Sequence, residues 1–465
     1  MPKTYLFYDI ETSGLNRCFD QVLQFAAIRT DENFNELETH EWWVKINPDC
    51  IPSPKAMITH RLPLTDINQG LTEYEAIQKI HALFNQPETI TLGYNTLGFD
   101  DEFLRFGFYR NLLPPYTHQY ANGCYRMDIY PIAVMYYLFS PDSIQWPLIE
   151  NKISLKLEHL NAVNQWVTGS AHHALVDVKA TIALAKCFLH NTSQWNYVQG
   201  YFQKSTDLKR MMQLPAAFKS LDERLKEAIL VQGSFGARDN FCAPVLSLGQ
   251  HQHYTNQTLW LRLDQTALQE TTADNVDEKT FSIRKRSGEA PFLLPPHERY
   301  QQKIKAERLA LAHKNKQWLL EKPKKLQMIQ EYHQHYQYPD YEHVDIDAAL
   351  YLMPFKTFEE EMLCRAFHRA TPDKKLILAQ TFSNPHLQRQ AFRVLARNFP
   401  EISLEEDPLN TSSQAIDFQG NPHLTPEEAL KQIIFLKNKQ GLDTQQLHVL
   451  EELGCLLQHS SRHCI

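Results

Sequence analysis

The chain opens on an apolar, β-prone run, Thr4 to Tyr8, followed by Asp9, Ile10 and Glu11 in alternation and then by the turn signal Ser13-Gly14. This pattern predicts a buried strand that ends in two carboxylates. Gln21 to Ile28 and Glu41 to Ile46 read as two more strands on either side of the polar stretch Thr30 to Asn35, and Asn47-Pro48 closes an antiparallel meander of three. Beyond it the period becomes helical over Glu73 to Phe84. A short strand, Thr89 to Gly93, leads into Tyr94-Asn95, and helices are expected over Asp100 to Asn111, Asp128 to Phe139, Ser154 to Asn161 and Ala174 to Leu189. In the last of these, Leu175, Val178, Ile182 and Ala185 share one apolar stripe. Strands first, then strands alternating with helices, imply an α/β fold with a mixed sheet.

After residue 190 the texture changes. Gln232 to Val245 and Thr258 to Leu263 read as strands around the punctuation Gly233-Ser-Phe-Gly-Ala237, and Thr280 to Arg284 with Pro291 to Leu294 add two short ones. From Pro295 onward the pattern is helical, broken by a Tyr/His/Pro-rich linker near Tyr332 to Tyr341 and a loop near Glu405 to Pro422. The expected division is 1–192, 193–343 and 344–465. A chain of 465 residues has room for it, at roughly 100 to 200 residues per domain.

Composition narrows the class. At 43% hydrophobic and 22% charged residues the chain reads as folded and water-soluble. The longest apolar run, Tyr130 to Phe139, contains Pro131 and falls well short of the roughly 18 residues of a membrane span. Asp9 and Glu11 stand where a secretory signal would be apolar, so a cytoplasmic protein is expected; a monomer is the expected state, though no feature of the sequence sets it. Eight cysteines show no CxxC pair and no paired Cys/His spacing, which argues against disulfides and structural zinc; His463-Cys464 reads as a frayed terminus. The net charge of −7 taken alone argues against a polyanionic partner. Its distribution argues otherwise, because Arg284 to Lys325 holds twelve Lys/Arg against four Glu and leaves the rest of the chain acidic. Such segregation suits a protein that meets phosphates on one face and holds divalent metals elsewhere, although a solvated helix face explains a charge run equally well.

The candidate chemistry lies in four separated pieces. Asp9 and Glu11 project from the same side of their strand, where two carboxylates repel one another unless a hard divalent cation lies between them. Asp100 follows Tyr94-Asn95-Thr96-Leu97-Gly98-Phe99 at a strand-to-helix junction and can reach the same sheet end; a helix N-cap is its other reading, for which Asp101 competes. In Ala171-His172-His173-Ala174-Leu175-Val176-Asp177 a histidine at a helix start precedes an aspartate by five positions. Each piece alone has a commoner structural explanation, but together they describe a cluster of three Asp and one Glu. Such a cluster holds two divalent ions about 4 Å apart and supports in-line phosphoryl displacement. Asp9, Glu11, Asp100 and Asp177 are the candidate ligands of two Mg²⁺, with Mn²⁺ as substitute. His172 is the candidate general base, since imidazole titrates near neutrality.

These residues resemble the DnaQ-like, DEDDh class of 3′-to-5′ exonucleases: Asp9-Ile-Glu11-Thr-Ser-Gly, Asn95-x3-Phe99-Asp100 and His172-x4-Asp177 match its three motifs. Further segments extend the resemblance over most of the chain toward one multidomain bacterial branch of the class. They include Gln24-Phe-Ala-Ala-Ile-Arg-Thr-Asp31, Leu157-Glu-His-Leu160, Asp345-Ile-Asp-Ala348 and Ala396-Arg-Asn-Phe-Pro400. The resemblance implies an RNase H-like exonuclease domain, an SH3-like β domain and a C-terminal helical domain enclosing a groove for single-stranded DNA. It also implies a role in DNA repair and a partner, the acidic C-terminal tail of the single-stranded-DNA-binding protein, for which the 284–325 segment is the candidate host. The adjacent His173 departs from the motif, and the x4 spacing favours His172.

Single-strand binding also follows from stacking, worth about 1 to 3 kcal/mol per base on aromatics, combined with cations along the backbone. Tyr94, Phe99 and Phe103 read as core before they read as base contacts, while Leu15, just past Gly14, is a candidate wedge against a terminal base. An RNA exonuclease and a non-catalytic nucleic-acid-binding scaffold are the alternatives.

Overall fold

The computed structural model describes residues 2–169, 172–218, 222–409, 415–439 and 441–460, so that Ala171, His463 and Cys464 lie outside the described residues. Strands β1 (Thr4–Thr12), β2 (Val22–Thr30), β3 (Glu36–Trp43), β4 (Thr89–Leu92) and β5 (Tyr125–Arg126) form one sheet in the order β3-β2-β1-β4-β5. The first three are antiparallel neighbours, whereas β4 and β5 join in parallel. This is the mixed α/β sheet that the alternation of strands and helices predicts. Every residue of β2 is buried, as a central strand covered on both faces requires. At the edge, β3 begins at Glu36 rather than at the expected Glu41 and ends before Val44. Its backbone pairs with β2 while its side chains are half-buried or exposed, so no hydrophobic run announces the residues before Glu41.

Between residues 54 and 189 the described residues form seven α-helices: α1 (Pro54–His60), α2 (Leu64–Asn68), α3 (Glu73–Phe84), α4 (Asp100–Arg110), α5 (Ile129–Phe139), α6 (Leu157–Asn164) and α7 (Ala174–Leu189). A capping box between Thr72 and Glu75 starts α3. Its Ala76, Ile77, Ile80 and Phe84 pack with Leu6, Tyr8, Ile10 and Phe25 of the sheet and with Leu104 and Phe108 of α4. Among the described residues no helix is long and apolar enough to cross a membrane.

The chain divides into two compact units. One comprises Met1–Arg126, Val167–Ile182 and Pro339–Ile465, the other Met127–Trp166 and Ala183–Tyr338. In the first, the C-terminal helices Pro426–Lys437 and Thr444–Ser460 bring Ala429, Ile433, Val449 and Leu453 onto Leu23, Met57 and Ile67. In the second, strands Ser282–Arg286, Gln257–Arg262, Cys242–Gln250, Asp222–Val231 and Phe292–Leu294 neighbour one another in that order. Helices Ala306–Glu321 and Pro323–His335 cover this sheet, with Leu319, Leu326 and Ile329 against Leu246, Leu259 and Leu261. The strand expected over Gln232 to Val245 is corrected. Residues 233–239 form two tight 3₁₀ turns between flanking strands, because the glycines that punctuate the sequence are the turn itself, and the strand before them opens on a charged run without apolar signal. Tyr332 to His335 is likewise helical, since no breaker precedes Pro339, and the linker starts at Tyr336.

The basic run is only partly a surface. Lys285 is fully buried against Asp207, Arg308 pairs with Asp264 at 2.5 Å, and Lys316 pairs with Glu227. Arg286, Arg299, Lys305, Lys314, Lys322 and Lys324 remain exposed.

One ion-pair cluster ties helix Pro385–Asn398 to the loop after β3. Arg397 Nη2 reaches Asp49 Oδ2 at 2.6 Å and Asp347 Oδ2 at 2.7 Å, while Arg393 Nη1 reaches Asp345 at 2.6 Å and Asp347 at 3.0 Å. Burial opposes the charge on Asp347, but Arg397 and Arg393 outweigh it and hold the carboxyl well below the usual carboxylate range. A carboxyl depressed on folding stabilises above its unfolded pKa of about 4, and that stabilisation is lost as pH falls through the folded value. Replacing Asp347 by Ala is expected to cost about 1.5 to 3 kcal/mol, because it takes one carboxylate from two buried guanidiniums that keep Asp49 and Asp345 as partners. It should also flatten the fall in Tm that the parent shows below about pH 4. Calorimetric melts between pH 3 and 7 check both; an unchanged pH profile would show that the cluster does not control acid stability.

Candidate active site

Asp9 and Glu11 project from one face of β1 near its C-terminal end, and β4 brings the third acid to the same edge. Gly93, directly after β4, makes this approach possible: a Cβ there would stand 2.4 Å from the Tyr8 carbonyl oxygen. Asn95 then takes a left-handed conformation, φ 64°, and one 3₁₀ turn delivers Asp100 as the first residue of α4. Asp100 is buried, and one of its oxygens accepts from the Ile10 amide at 3.2 Å. The fourth acid lies in the first turn of α7, where Asp177 Oδ2 accepts from the His172 backbone N–H at 3.2 Å.

One ligand atom from each of Glu11, His172 and Asp177 lies within 4.8 Å of the other two. Asp9 and Asp100 stand beside this trio rather than in it, close enough for their charges to act on it. Burial, followed by the neighbouring carboxylates of Asp100, Glu11 and Asp177, pushes the Asp9 carboxyl well above the usual range. Burial with Asp177 and Asp100 does the same to Glu11. Four carboxyl groups within one another's field, all oxygen donors and partly withdrawn from water, fit hard divalent cations such as Mg²⁺ or Mn²⁺.

The adjacent acids of α4 serve opposite ends. Asp101 points away from the cluster into a basic nest, with Arg105 Nη2 at 2.7 Å, His118 Nε2 at 3.1 Å and Arg126 also bonded. Burial works against its charge, yet Arg126 and Arg105 hold its carboxyl below the usual range. Glu102 beside it binds Arg105, Arg17 and the Tyr351 hydroxyl. The nest secures the start of α4, and so Asp100, against β5. The pattern at 100–102 shows three acids in a row and does not show which faces which partner.

The two histidines also part company. His172 takes φ 63° and is exposed beside the acids. His173 instead meets β2 and β3, its Nε2 lying 3.4 Å from Gln24 Nε2 and 3.6 Å from Glu41 Oε1, with its ring edge-on to Trp43. Gln24 was missed as a site residue, although a fully buried amide inside an apolar strand signals a buried partner. Phe103 is core and Phe99 packs against it at 4.7 Å. Leu15 is 82% exposed on the loop that Ser13 Oγ closes through Asp20 at 2.8 Å.

Residues 6–185 match the family model Exonuclease (RNase_T), in agreement with the three motifs. The relatives are more particular. Exodeoxyribonuclease I of Escherichia coli K12 is 33% identical over 291 residues, which is 62% of this chain and 60% of that protein. The exodeoxyribonuclease I of Haemophilus influenzae is 32% identical over 281 residues, 59% of this chain and 57% of that one. These alignments therefore span less than two thirds of the relatives' length. In fold the likeness runs further. E. coli exonuclease I in complex with a dA16 oligonucleotide matches with a TM-score of 0.85 over 98% of this chain and 100% of that one, at 24% identity. The zinc-bound form of the E. coli enzyme with single-stranded DNA matches with a TM-score of 0.83 over 99% and 100%, also at 24% identity.

The raised carboxyls make a prediction for the metal-free protein. A folded state that takes up protons more readily than the unfolded chain loses stability as pH rises through the window between the two pKa values. Asp9→Asn removes one repelling charge and should raise stability in EDTA near pH 7 by about 1 to 2 kcal/mol, while abolishing the stabilisation that Mg²⁺ confers on the parent. Thermal melts with EDTA and with Mg²⁺ check this; a lower Tm for Asp9→Asn in EDTA would show that the crowding of charge is not real.

Proposed function

We propose that the chain is a 3′-to-5′ exonuclease that releases nucleoside 5′-monophosphates from single-stranded DNA in repair and recombination. It acts with Mg²⁺, for which Mn²⁺ substitutes. The observation that carries this reading is the convergence of Asp9, Glu11, Asp100 and Asp177, with His172 beside them, inside an exonuclease-family domain. The likeness of the whole chain to exodeoxyribonuclease I adds the single-stranded substrate.

Asp9, Glu11, Asp100 and Asp177 would hold the cations. Two divalent ions, when bound, supply the positive charge that favours ionisation of a water and offsets charge on the leaving oxygen of an in-line displacement. The chain's own contribution is positional. The carboxylates, fixed on β1, α4 and α7, leave little conformational entropy to lose when substrate arrives. His172, at the exposed side of the cluster, takes the proton from the attacking water at an imidazole nitrogen. Leu15, held out on the Ser13–Asp20 loop, abuts the last base and limits how far the strand enters. We further propose that residues 1–192, 193–343 and 344–465 act as the three functional parts of a cytoplasmic monomer. In this reading the basic 284–325 segment receives the acidic tail of the single-stranded-DNA-binding protein.

A time course on free and 3′-blocked single strands, with Mg²⁺ and with EDTA, tests the activity. Mononucleotide release from the free end in Mg²⁺ alone is expected, and equal loss from blocked strands would refute the polarity. Matched DNA and RNA oligonucleotides separate this enzyme from an RNA exonuclease. Asp177→Ala should abolish hydrolysis while leaving oligonucleotide binding in EDTA intact; unchanged turnover would remove the proposed metal site. His172→Ala should lower the rate about 10² to 10⁴-fold. A larger loss in His173→Ala would transfer the role of base to that residue.

A further inference from the structure

We infer that Gln24 is a positioning residue for the proposed general base, acting through the start of α7. The inference rests on the function proposed above and extends it to a residue that touches neither substrate nor cation.

Strand register puts Gln24 in the path between the acids and the helix. It pairs with Glu11 on β1 and with Trp43 on β3, while the next pair along, Asp9 and Ala26, continues to Glu41. Residues directly opposite in antiparallel strands share a face, so Asp9, Glu11, Gln24, Glu41 and Trp43 lie on one side of the sheet. The Gln24 side chain is completely buried there and uses both ends of its amide. Its Oε1 accepts from the Ala174 backbone N–H at 3.2 Å, and its Nε2 donates to Glu41 Oε1 at 2.8 Å. The same Nε2 lies 3.4 Å from the His173 ring.

Ala174 is the first residue of α7, where backbone N–H groups have no partner within the helix. By supplying that partner from β2, Gln24 fixes the end of α7 to the strand beside Glu11. Glu41 and Trp43 then hold His173 over β2 and β3. With His173 anchored on this side, the left-handed turn at His172 is what carries the preceding side chain toward Glu11 and Asp177. A non-glycine residue in that conformation costs free energy and persists only where its surroundings impose it. On the C-terminal side the tether at 173–174 imposes it together with Asp177, whose carboxylate accepts the His172 amide. Without it the first turn of α7 keeps its sequence but loses the reference that decides which of two adjacent imidazoles meets the acids.

The test uses the full chain and Gln24→Met, which keeps length and volume but offers no amide, with Gln24→Ala as a second variant should the first fold poorly. Hydrogen exchange at the Ala174 amide should accelerate. On a single-stranded oligonucleotide with Mg²⁺, kcat should fall about 10²-fold, the scale of an ångström-sized misplacement, with KM unchanged. The deciding comparison is a double-mutant cycle: in a His172→Ala background Gln24→Met should add no further loss, because its effect passes through His172. The same fractional loss in both backgrounds, or an Ala174 amide as slow to exchange as in the parent, would overturn the inference. Full activity of His172→Ala by itself would count instead against the base assigned above, leaving amide exchange to decide on the tether.

Discussion

Four carboxylates brought together at the end of β1 impose the constraint around which this domain is organised. Like charges partly withdrawn from water repel strongly, and among the described residues the fold meets that cost with local devices rather than with neutralising cations. Asp100 gives an oxygen to the Ile10 amide and sits in the first turn of α4, where the helix dipole favours negative charge. Asp177 has the same advantage in the first turn of α7, and accepts the His172 amide besides. What these contacts leave uncompensated appears in the raised carboxyls of Asp9 and Glu11. Among the described residues no lysine or arginine acts on either carboxyl, a composition suited to receiving charge from outside.

The rigidity behind the cluster comes from a second set of charges of opposite balance. One residue along from Asp100, Asp101 is saturated by two guanidiniums and an imidazole, and so clamps α4 to β5. Its carboxyl moves in the direction opposite to that of Asp9, although both are aspartates in one sheet edge. The difference lies wholly in partners. On the far side of the cluster Gln24 does for α7 what Asp101 does for α4, with the hydrogen bonds of an uncharged amide in place of ion pairs.

Charge elsewhere follows the same rule that direction matters more than count. Of the cations crowded between 284 and 325, Lys285, Arg308 and Lys316 turn inward to acids distant in sequence, which reduces the surface available to a polyanion. The pairs that Arg393 and Arg397 make with Asp49, Asp345 and Asp347 weld helix Pro385–Asn398 to the loop after β3. A segment more than 300 residues away in sequence is thereby part of the unit that carries the site.

Much of this could be read from residues alone. The buried strand ending in Asp9-Ile-Glu11, the extent of α3 and α7 and the mixed sheet all follow from periodicity, because apolar spacing reports which face an element buries. The spacing of the three motifs likewise marked the acids that converge. Other features were silent. The first residues of β3, Glu36 to His40, lie at an edge and carry no apolar run, and the strand before Gly233 begins on charged residues, so their pairing depends on neighbours that periodicity does not encode. The division of labour between Asp100 and Asp101, or between His172 and His173, is a matter of a rotation of about 100° along a helix or one φ angle. Only contacts across the fold, Arg126 for one pair and Gln24 for the other, select between neighbours that are chemically identical along the chain. Sequence alone determined which groups were available for the chemistry, and tertiary structure decided which of them face one another, since orientation is set by partners far away in the chain.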